Sequence, residues 1–231
     1  MKDVIIALDF PSRVEVLDFL GCFGEKKPYV KIGMELYYAE GPQIIKEIKK
    51  TGSKIFLDLK LHDIPNTVKR SMSVLSSLGV DMCNLHAAGG SEMMISAIEG
   101  LSSGGGKRPL LLAVTMLTST SEERMKSELL IDRGMEETVL SYAKNAKNSG
   151  LDGVVCSPLE AAAVKRECGS GFFTVTPGIR FADGEKGDQV RVTTPALAAT
   201  LGSDFIVVGR AVTGAADPAA AYERCVREFI I

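Results

Sequence analysis

The chain has 231 residues, 27 of them basic and 29 acidic, which gives a formal net charge of −2 at pH 7. With 45% hydrophobic and 24% charged residues, the composition is that of an ordinary globular protein and excludes the disordered, collagen-like and disulfide-rich classes. Because there is no excess of basic residues, no general attraction to nucleic acid is expected. The length fits either one α/β barrel or two small domains.

The cysteines and the first residues bear on the cellular compartment. The five cysteines are widely spaced, with no C-x-x-C pair and no His/Cys cluster, so we expect reduced thiols and neither a zinc site nor a disulfide framework. The N-terminus runs directly into a short apolar stretch without a signal-peptide pattern, and the apolar runs are too short to span a bilayer. We therefore expect a soluble cytoplasmic protein with no membrane partner.

Short apolar runs alternate with longer amphipathic stretches along the chain. The predicted strands are residues 4–10, 29–34, 54–60, 82–87, 110–117, 153–157, 172–176 and 205–209. Most are rich in Val, Ile, Leu and Phe, which is typical of parallel strands buried on both faces. The predicted helices are residues 13–23, 42–50, 64–78, 91–101, 135–149, 159–167, 195–201 and 218–229.

Eight strands, each followed by a helix, predict an α/β fold with a single (β/α)8 TIM barrel, and we assign residues 1–231 to one catalytic domain. No G-x-G-x-x-G follows the first strand and no G-x-x-x-x-G-K-[ST] occurs, which argues against a nucleotide-binding sheet. Two connections are unusually long, residues 118–134 and residues 178–192. Both leave the carboxyl ends of barrel strands, where barrel enzymes keep their chemistry, so we interpret them as candidate active-site lids.

Ionisable residues occur inside, at the ends of and just beyond the first three predicted strands, where a barrel is otherwise apolar. They are Asp9, Lys31, Asp58, Lys60 and Asp63. Because side chains alternate along a strand, Asp58 and Lys60 share one face. Packing of Leu57 and Leu59 against helices would leave that charged face towards the barrel axis. An ion-pair network that only closes the barrel is the alternative, but five such residues at one end favour an active site.

A second group of residues is typical of an anion site. T-P-G-I-R ends the seventh strand at Arg180, and V-V-G-R ends the eighth at Arg210. Loops after these two strands often form the phosphate site of TIM barrels. Gly178 and Gly209 would let backbone N–H groups approach an anion, and the two arginines would supply forked donors. Simple turns and surface ion pairs are the alternative, which the occurrence of two such motifs at adjacent strand ends disfavours.

The segment D-L-K-L-H-D-I-P-N-T at residues 58–67 resembles the D-x-K-x-x-D-I-P-N-T signature of the bacterial-type orotidine 5′-phosphate decarboxylase family. The segments A-L-D-F, K-I-G-M-E-L, L-T-S, T-P-G-I-R, G-D-Q and V-V-G-R occur around it in the family's order, so the resemblance covers nearly the whole chain. The ten-residue signature is specific, whereas A-L-D and V-G-R are weak singly. No position that the family uses departs from its pattern.

The resemblance implies an enzyme that converts orotidine 5′-phosphate to UMP and CO2, the last step of de novo pyrimidine nucleotide synthesis, without metal or organic cofactor. Lys60 would deliver a proton to C6 of the pyrimidine, and Asp58 would lie beside the substrate carboxylate. Asp9 and Lys31 would hold the ribose hydroxyls, with Lys31 also joining the chain of charges.

The resemblance also implies contacts to the ring, to the phosphate and to a second subunit. Thr118 would lie near the pyrimidine ring. The residues implied to bind the 5′-phosphate are Arg180, Gln189, Gly209 and Arg210. Residues 178–192 would close over the substrate as a lid. Asp63 and Thr67 would reach into the active site of a partner subunit, so that the functional unit is a homodimer.

Three other ionisable residues need an interpretation. His62 lies inside the signature, and we expect a surface or supporting role for it. His86 ends the fourth strand, where we expect a packed, hydrogen-bonded side chain that takes no part in catalysis. Glu35 is the one acid near enough to Asp58 in strand order to suggest a metal pair, and we interpret it as a solvated acid at a helix start.

Two other functions are consistent with parts of the pattern. The first is a decarboxylase or aldolase of the same barrel group acting with Mg2+ on a sugar phosphate such as 3-keto-L-gulonate 6-phosphate. Such relatives also carry Asp-x-Lys and a phosphate site, but they would lack the I-P-N-T and T-P-G-I-R segments. The second is a barrel that binds UMP-like ligands without catalysis, for which Asp58 facing an anionic substrate would have no use.

Overall fold

The computed structural model describes residues 2–104, 107–183 and 193–230. Within these ranges eight parallel strands pair in chain order, and β1 pairs with both β2 and β8, so the sheet is closed. The strands are β1 (Asp3–Ala7), β2 (Tyr29–Ile32), β3 (Ile55–Leu61), β4 (Met82–His86), β5 (Leu110–Val114), β6 (Gly153–Val155), β7 (Phe173–Thr176) and β8 (Phe205–Val208). The predicted (β/α)8 barrel is confirmed.

Helices cover the outside of the barrel. They are α1 (Arg13–Gly21), α2 (Met34–Glu40), α3 (Gln43–Lys50), α4 (Pro65–Ser76), α5 (Gly90–Ser102), α6 (Glu122–Ser127), α7 (Met135–Asn148), α8 (Pro158–Cys168), α9 (Pro195–Thr200), α10 (Arg210–Thr213) and α11 (Pro218–Phe229). A 3-10 turn at Ala87–Gly89 precedes α5. In the described part of the chain, no helix is both long enough and apolar enough to cross a lipid bilayer.

Side chains near the helix starts explain where several helices begin. Ser12, Ser121, Thr194 and Asp217 each accept a hydrogen bond from a backbone N–H in the first turn of α1, α6, α9 and α11 respectively. These bonds satisfy donors that have no partner inside the helix. At α8, Ser157 takes part in a capping box with Glu160, whose carboxylate accepts from the Ser157 N–H at 2.8 Å.

The structure differs from the predicted elements mainly at strand ends and in short helices. Most predicted strands continue too far, because apolar residues such as Leu8 and Met116 stay buried after the ladder has ended. Helices α2, α6 and α10 were not predicted, since they have only 7, 6 and 4 residues and too few turns for a clear apolar period. Helix α6 lies within the connection 118–134, which was predicted as a loop.

The buried residues form two cores, as alternation along the strands requires. On β1, Ile5 and Ala7 point into the barrel, whereas Val4 and Ile6 pack in the layer between strands and helices. The amino-terminal end of the interior is filled by three aromatic rings. They are Tyr29, Phe173 and Phe205, with centroid distances of 6.3 Å (Tyr29–Phe205) and 5.7 Å (Phe173–Phe205). The described interior opens at the carboxyl ends of the strands, and a second cavity lies at the amino-terminal end beside Tyr29 and Phe205.

Candidate active site at the carboxyl ends of the strands

A cavity of about 460 Å³ occupies the carboxyl end of the barrel. That volume lies in the range of pockets that enclose small organic ligands. Its polar lining residues are Asp9, Lys31, Asp58, Lys60, Thr118, Arg180 and Arg210. Its apolar lining comes from Ala7, Phe56, Val114, Met116, Leu117, Val155, Cys156, Pro177 and Val207, and Gly178 and Gly209 complete it. The lining thus combines charged side chains from the first three strands and from the loops after β7 and β8 with apolar side chains.

Four charged side chains from the first three strands form an alternating chain. Lys31 Nζ lies 3.1 Å from Asp9 Oδ1 and 3.4 Å from Asp58 Oδ2. Lys60 Nζ lies 2.7 Å from Asp58 Oδ1. The side chains of Asp58, Lys31 and Lys60 are 11, 13 and 24% exposed, while Asp9 is 63% exposed. Asp58 is therefore the buried centre of the chain, and Asp9 is its solvent end.

The surroundings keep Asp58 ionised. Burial alone would raise the pKa of this carboxyl group, because removal from water disfavours the charged form. The ammonium groups of Lys31 and Lys60 and the hydrogen bonds from Lys60 and Asn84 outweigh burial, so the pKa of Asp58 lies below its ordinary value. At neutral pH the cavity wall thus carries a fixed negative charge between two fixed positive charges.

Strand β3 is irregular where it carries these charges. Leu57 pairs with Cys83 on β4, but the next pair is Leu61 with Leu85, so two extra residues of β3 lie between the pairs. Within this interruption Lys60 has a φ of 52°, in the left-handed region that non-glycine residues rarely adopt. Asp58 and Lys60 still line the cavity, and Leu57 and Leu59 lie in the outer core, on the two faces that alternation predicts.

Asn84 completes this arrangement and was missed by sequence reasoning. It lies on β4, is 2% exposed, and donates from Nδ2 to Asp58 Oδ1 at 2.7 Å. Its Oδ1 accepts from the backbone N–H of Lys60 at 2.9 Å. The only signal in the sequence is an amide inside the otherwise apolar run M-C-N-L, which a buried, fully bonded Asn would explain.

Two histidines lie beside the charge chain. The rings of His62 and His86 are 5.7 Å apart between centroids. Burial lowers the pKa of His86, and the neighbouring His62 and Lys60 lower it further, while Asp58 opposes them. His86 is therefore neutral at pH 7, half-buried and packed against another ring. His62, by contrast, is exposed.

The loop after β7 brings glycine and arginine to the opposite side of the cavity. Gly178 has a φ of 86°, a conformation that favours glycine. The backbone of Arg180 donates to Thr193 O at 2.9 Å, and Thr193 N donates to Gly178 O at 2.9 Å, so both ends of the connection are tied together. After β8, Gly209 and the start of α10 reach the same cavity, and so does Arg210.

This architecture agrees with the comparison against known proteins. The profile of the orotidine 5′-phosphate decarboxylase / HUMPS family matches residues 2–225. The chain belongs to this family. It is 59% identical over 228 residues to the orotidine 5′-phosphate decarboxylase of Geobacillus sp. (strain WCH70), covering 97% of this chain and 95% of the relative. The corresponding protein of Bacillus caldolyticus is 58% identical over 228 residues, covering 97% and 93%.

A solved structure supports the same assignment. The crystal structure of orotidine 5′-phosphate decarboxylase from Lactobacillus acidophilus matches this chain with a TM-score of 0.90 at 45% sequence identity, and the match covers 100% of both chains. At this identity the likeness extends well beyond the barrel fold alone. The family resemblance predicted from the motifs is thereby confirmed.

The structure brings most, but not all, of the residues implied by the family to one cavity. Asp9, Lys31, Asp58, Lys60, Thr118, Arg180, Gly209 and Arg210 line it. Gln189 lies outside the described residues, as does most of the connection 178–192. Asp63 and Thr67 are exposed and do not line the cavity of their own chain. Asp63 Oδ1 accepts from the Ile64 N–H at 2.7 Å.

Potential metal ligands are dispersed in the part of the chain that the structure describes. No group of three His, Cys, Asp or Glu side chains there comes close enough together to hold a metal ion. Glu35 lies in the first turn of α2 and is exposed, which matches its interpretation as a solvated acid. All five cysteines are free thiols, and only Cys22 is exposed.

Proposed function

We propose that the chain decarboxylates orotidine 5′-phosphate to UMP and CO2, the last step of de novo pyrimidine nucleotide synthesis. Family membership supports this reaction class, since relatives at 57–59% identity carry that name. The observation that carries the proposal is the buried Lys31–Asp58–Lys60 chain at a cavity that also contains Arg180 and Arg210. One such cavity can hold the reacting ring and the phosphate of a single nucleotide.

The chemistry explains the use of Lys60. Loss of CO2 leaves a carbanion at C6 with no adjacent π system to accept the charge, so the enzyme must lower the barrier by roughly 20 kcal/mol. A fixed ammonium group stabilises the negative charge as it develops and then donates a proton to C6. Lys60 Nζ lines the cavity and is held 2.7 Å from Asp58, which supports this role.

Asp58 would lie beside the carboxylate that leaves. Three donors hold its carboxylate in place, so it cannot turn away from an incoming anion. Repulsion between the two carboxylates would act in the bound substrate and disappear as CO2 departs, which lowers the barrier relative to the ground state. The lowered pKa of Asp58 supports this role, because only an ionised group repels.

The remaining cavity residues would bind the rest of the nucleotide. Asp9 and Lys31, at the solvent end of the charge chain, would hold the ribose hydroxyls. Thr118 would lie near the pyrimidine ring. The proposed phosphate ligands are Arg180, Gln189, Gly209 and Arg210. Binding energy from this remote phosphate would drive closure of residues 178–192 and contribute to catalysis at the ring.

The functional unit in this proposal is a homodimer without metal or organic cofactor. Asp63 and Thr67, exposed next to the barrel mouth, would complete the active site of the partner subunit. Residues 1–231 would form one catalytic domain that works in the cytoplasm. Proton delivery by Lys60 and repulsion by Asp58 need no cofactor chemistry, which supports the cofactor-free scheme.

One assay tests the reaction, the substrate and metal independence together. Purified protein in EDTA is mixed with orotidine 5′-phosphate, and loss of substrate absorbance is followed. Full turnover in EDTA is the expected result. Activity that disappears with the chelator and returns with Mg2+, or turnover of 3-keto-L-gulonate 6-phosphate alone, would point to the sugar-phosphate enzyme. Tight UMP binding without turnover would indicate the non-catalytic binder.

A further inference from the structure

We infer that Asn84 is the positioning residue of the active site, because its carboxamide fixes the Lys60 backbone and the Asp58 carboxylate relative to each other. The kinetic test of this inference rests on the proposed function, because it measures kcat of the decarboxylation. Asn84 does not line the cavity, so it acts on the substrate only through these two residues.

The orientation of the carboxamide follows from the chemistry of its neighbours. The Lys60 backbone N–H is a donor, so it must face Oδ1. The Asp58 carboxylate is an acceptor, so it must face Nδ2. With Asn84 2% exposed, its carboxamide is shielded from bulk solvent. The amide therefore joins the two residues in one orientation only.

The Asn84 side chain also supplies a hydrogen bond where the β3–β4 ladder is interrupted. Between the pairs Leu57–Cys83 and Leu61–Leu85 the β3–β4 ladder is interrupted, and Lys60 N–H bonds to the Asn84 side chain in that gap. A buried N–H without a partner would be costly, so this bond favours the interrupted form of β3. The φ of 52° at Lys60 occurs in the same gap. Asn84 thus supports the strained backbone that directs the Lys60 side chain to Asp58.

Lys60 and Asn84 contact the same oxygen of the Asp58 carboxylate. Asp58 Oδ1 accepts from Lys60 Nζ and from Asn84 Nδ2, each at 2.7 Å, while Oδ2 faces Lys31. Without the amide, only the two flexible lysine side chains would orient the carboxylate. A misplacement of about 1 Å at a reacting group can lower a rate about 100-fold. Substrate binding depends on other residues, so kcat should fall far more than the affinity for UMP.

Asn84→Leu tests the inference by removing both hydrogen bonds at similar volume. We expect kcat to fall about 100-fold, while the dissociation constant of UMP, measured by calorimetry, changes less than about threefold. The matched control is Thr174→Val, which removes a buried hydroxyl that bonds Asp204 Oδ2 at 3.1 Å at the other end of the barrel. It should lower Tm comparably and leave kcat unchanged. A kcat within threefold of wild type, or parallel losses of kcat and UMP affinity, would overturn the inference.

Asn84→Asp gives a second, nearly isosteric test that does not depend on folding of the leucine variant. It keeps an acceptor for Lys60 N–H but places a carboxyl group against Asp58, so the two acids will share a proton, with one pKa raised. At acidic pH the protonated acid can donate as the amide does. The ratio of variant to wild-type kcat should therefore rise as pH falls, with the flanking groups Lys31, Lys60 and His86 common to both proteins. A ratio independent of pH would overturn the inference.

A crystal structure of Asn84→Leu separates this inference from the proposed function. Turnover by the wild-type protein tests the function by itself. If the wild-type protein does not turn over the substrate, the backbone conformation of Lys60 in the variant still tests the positioning role of Asn84. Loss of the positive φ together with separation of Lys60 Nζ from Asp58 would support the positioning role. Unchanged geometry at both residues would overturn it.

Discussion

At the amino-terminal end of the barrel, aspartates pair with basic side chains next to a cluster of aromatic rings, whereas at the carboxyl end aspartates and lysines line the candidate active-site cavity. The two ends use the same kinds of ion pair. They differ in what else each aspartate binds, and that difference separates residues that serve the fold from residues that serve the chemistry.

The amino-terminal aspartates follow a repeating arrangement. Three of them directly precede β4, β6 and β8 and pair with a basic side chain: Asp81 with Lys49 at 3.0 Å, Asp152 with Arg108 at 2.7 Å, and Asp204 with Lys165 at 2.5 Å. Each also accepts a backbone N–H from the preceding strand: Ile55 at 2.8 Å, Leu111 at 2.7 Å and Thr174 at 2.8 Å. These acids therefore hold neighbouring strands together.

Asp58 at the other end has a different set of partners. Its described partners are the side chains of Lys31, Lys60 and Asn84. The backbone near it is irregular, with Lys60 at a positive φ. Here the fold is held in an unfavourable local conformation to place charges at a cavity, which is characteristic of functional sites. A backbone hydrogen bond from the preceding strand thus distinguishes these three amino-terminal aspartates from Asp58.

The largest effect that would test this contrast is expected for Lys60→Ala. Removing the ammonium group takes away both carbanion stabilisation and the proton donor, so kcat should fall by at least about 10⁴-fold. The measurement is single-turnover loss of orotidine 5′-phosphate. The control is Lys54→Ala, which removes a lysine just before β3 that pairs with Asp3 and lies over the Tyr29 ring. A substantial residual rate in Lys60→Ala, or an equal loss in Lys54→Ala, would contradict the proposed proton donor.

Arg210→Ala should have the next largest effect. Loss of a forked donor to the phosphate should cost about 2–4 kcal/mol in kcat/KM. Steady-state kinetics would measure it, with Arg227→Ala, an exposed arginine of α11, as the control. A substrate analogue without the 5′-phosphate should show no difference between Arg210→Ala and wild type. If kcat/KM for the full substrate were unchanged, Arg210 would not belong to the site.

The sequence was sufficient to predict the barrel because its signals are local or periodic. Buried runs of β-branched and apolar residues mark the strands, and the amphipathic stretches between them mark the longer helices. Charges at strand ends were also sufficient to predict that Asp58, Lys60, Lys31 and Asp9 would meet, since parallel strands of a barrel end at the same rim.

What the sequence did not predict depends on contacts between strands. The Asn84 side chain bonds residues 24 and 26 positions earlier in the chain, and only the β3–β4 register brings them together. The positive φ of Lys60 could not be predicted from the sequence either, because a lysine in an apolar run favours ordinary strand geometry. The short helices α6 and α10 depend on how the connections pack, so their few residues show no helical period.

Asp152→Ala should show the opposite behaviour from Lys60→Ala. It leaves the Leu111 N–H and the Arg108 guanidinium without their partner, which should cost about 2 kcal/mol in the free energy of unfolding. Urea unfolding would measure the loss, and kcat of the folded variant should equal that of wild type. A large loss of kcat with unchanged stability would mean that the amino-terminal aspartates are not purely structural.

The smallest effect should appear in the acid range and concerns Asp58. Its pKa is lower in the folded protein than the ordinary value of 3.8, so the unfolded chain binds this proton first as the pH falls. The stability that the ionised group contributes is complete above about pH 5 and is lost progressively below it. Asp58→Asn cannot titrate there, so the difference between the unfolding free energies of wild type and variant should become less favourable to wild type from pH 5 to pH 3. A difference that stays constant over this range would show that the lysines and Asn84 do not hold Asp58 in its charged form, and the contrast between the two ends would lose its electrostatic basis.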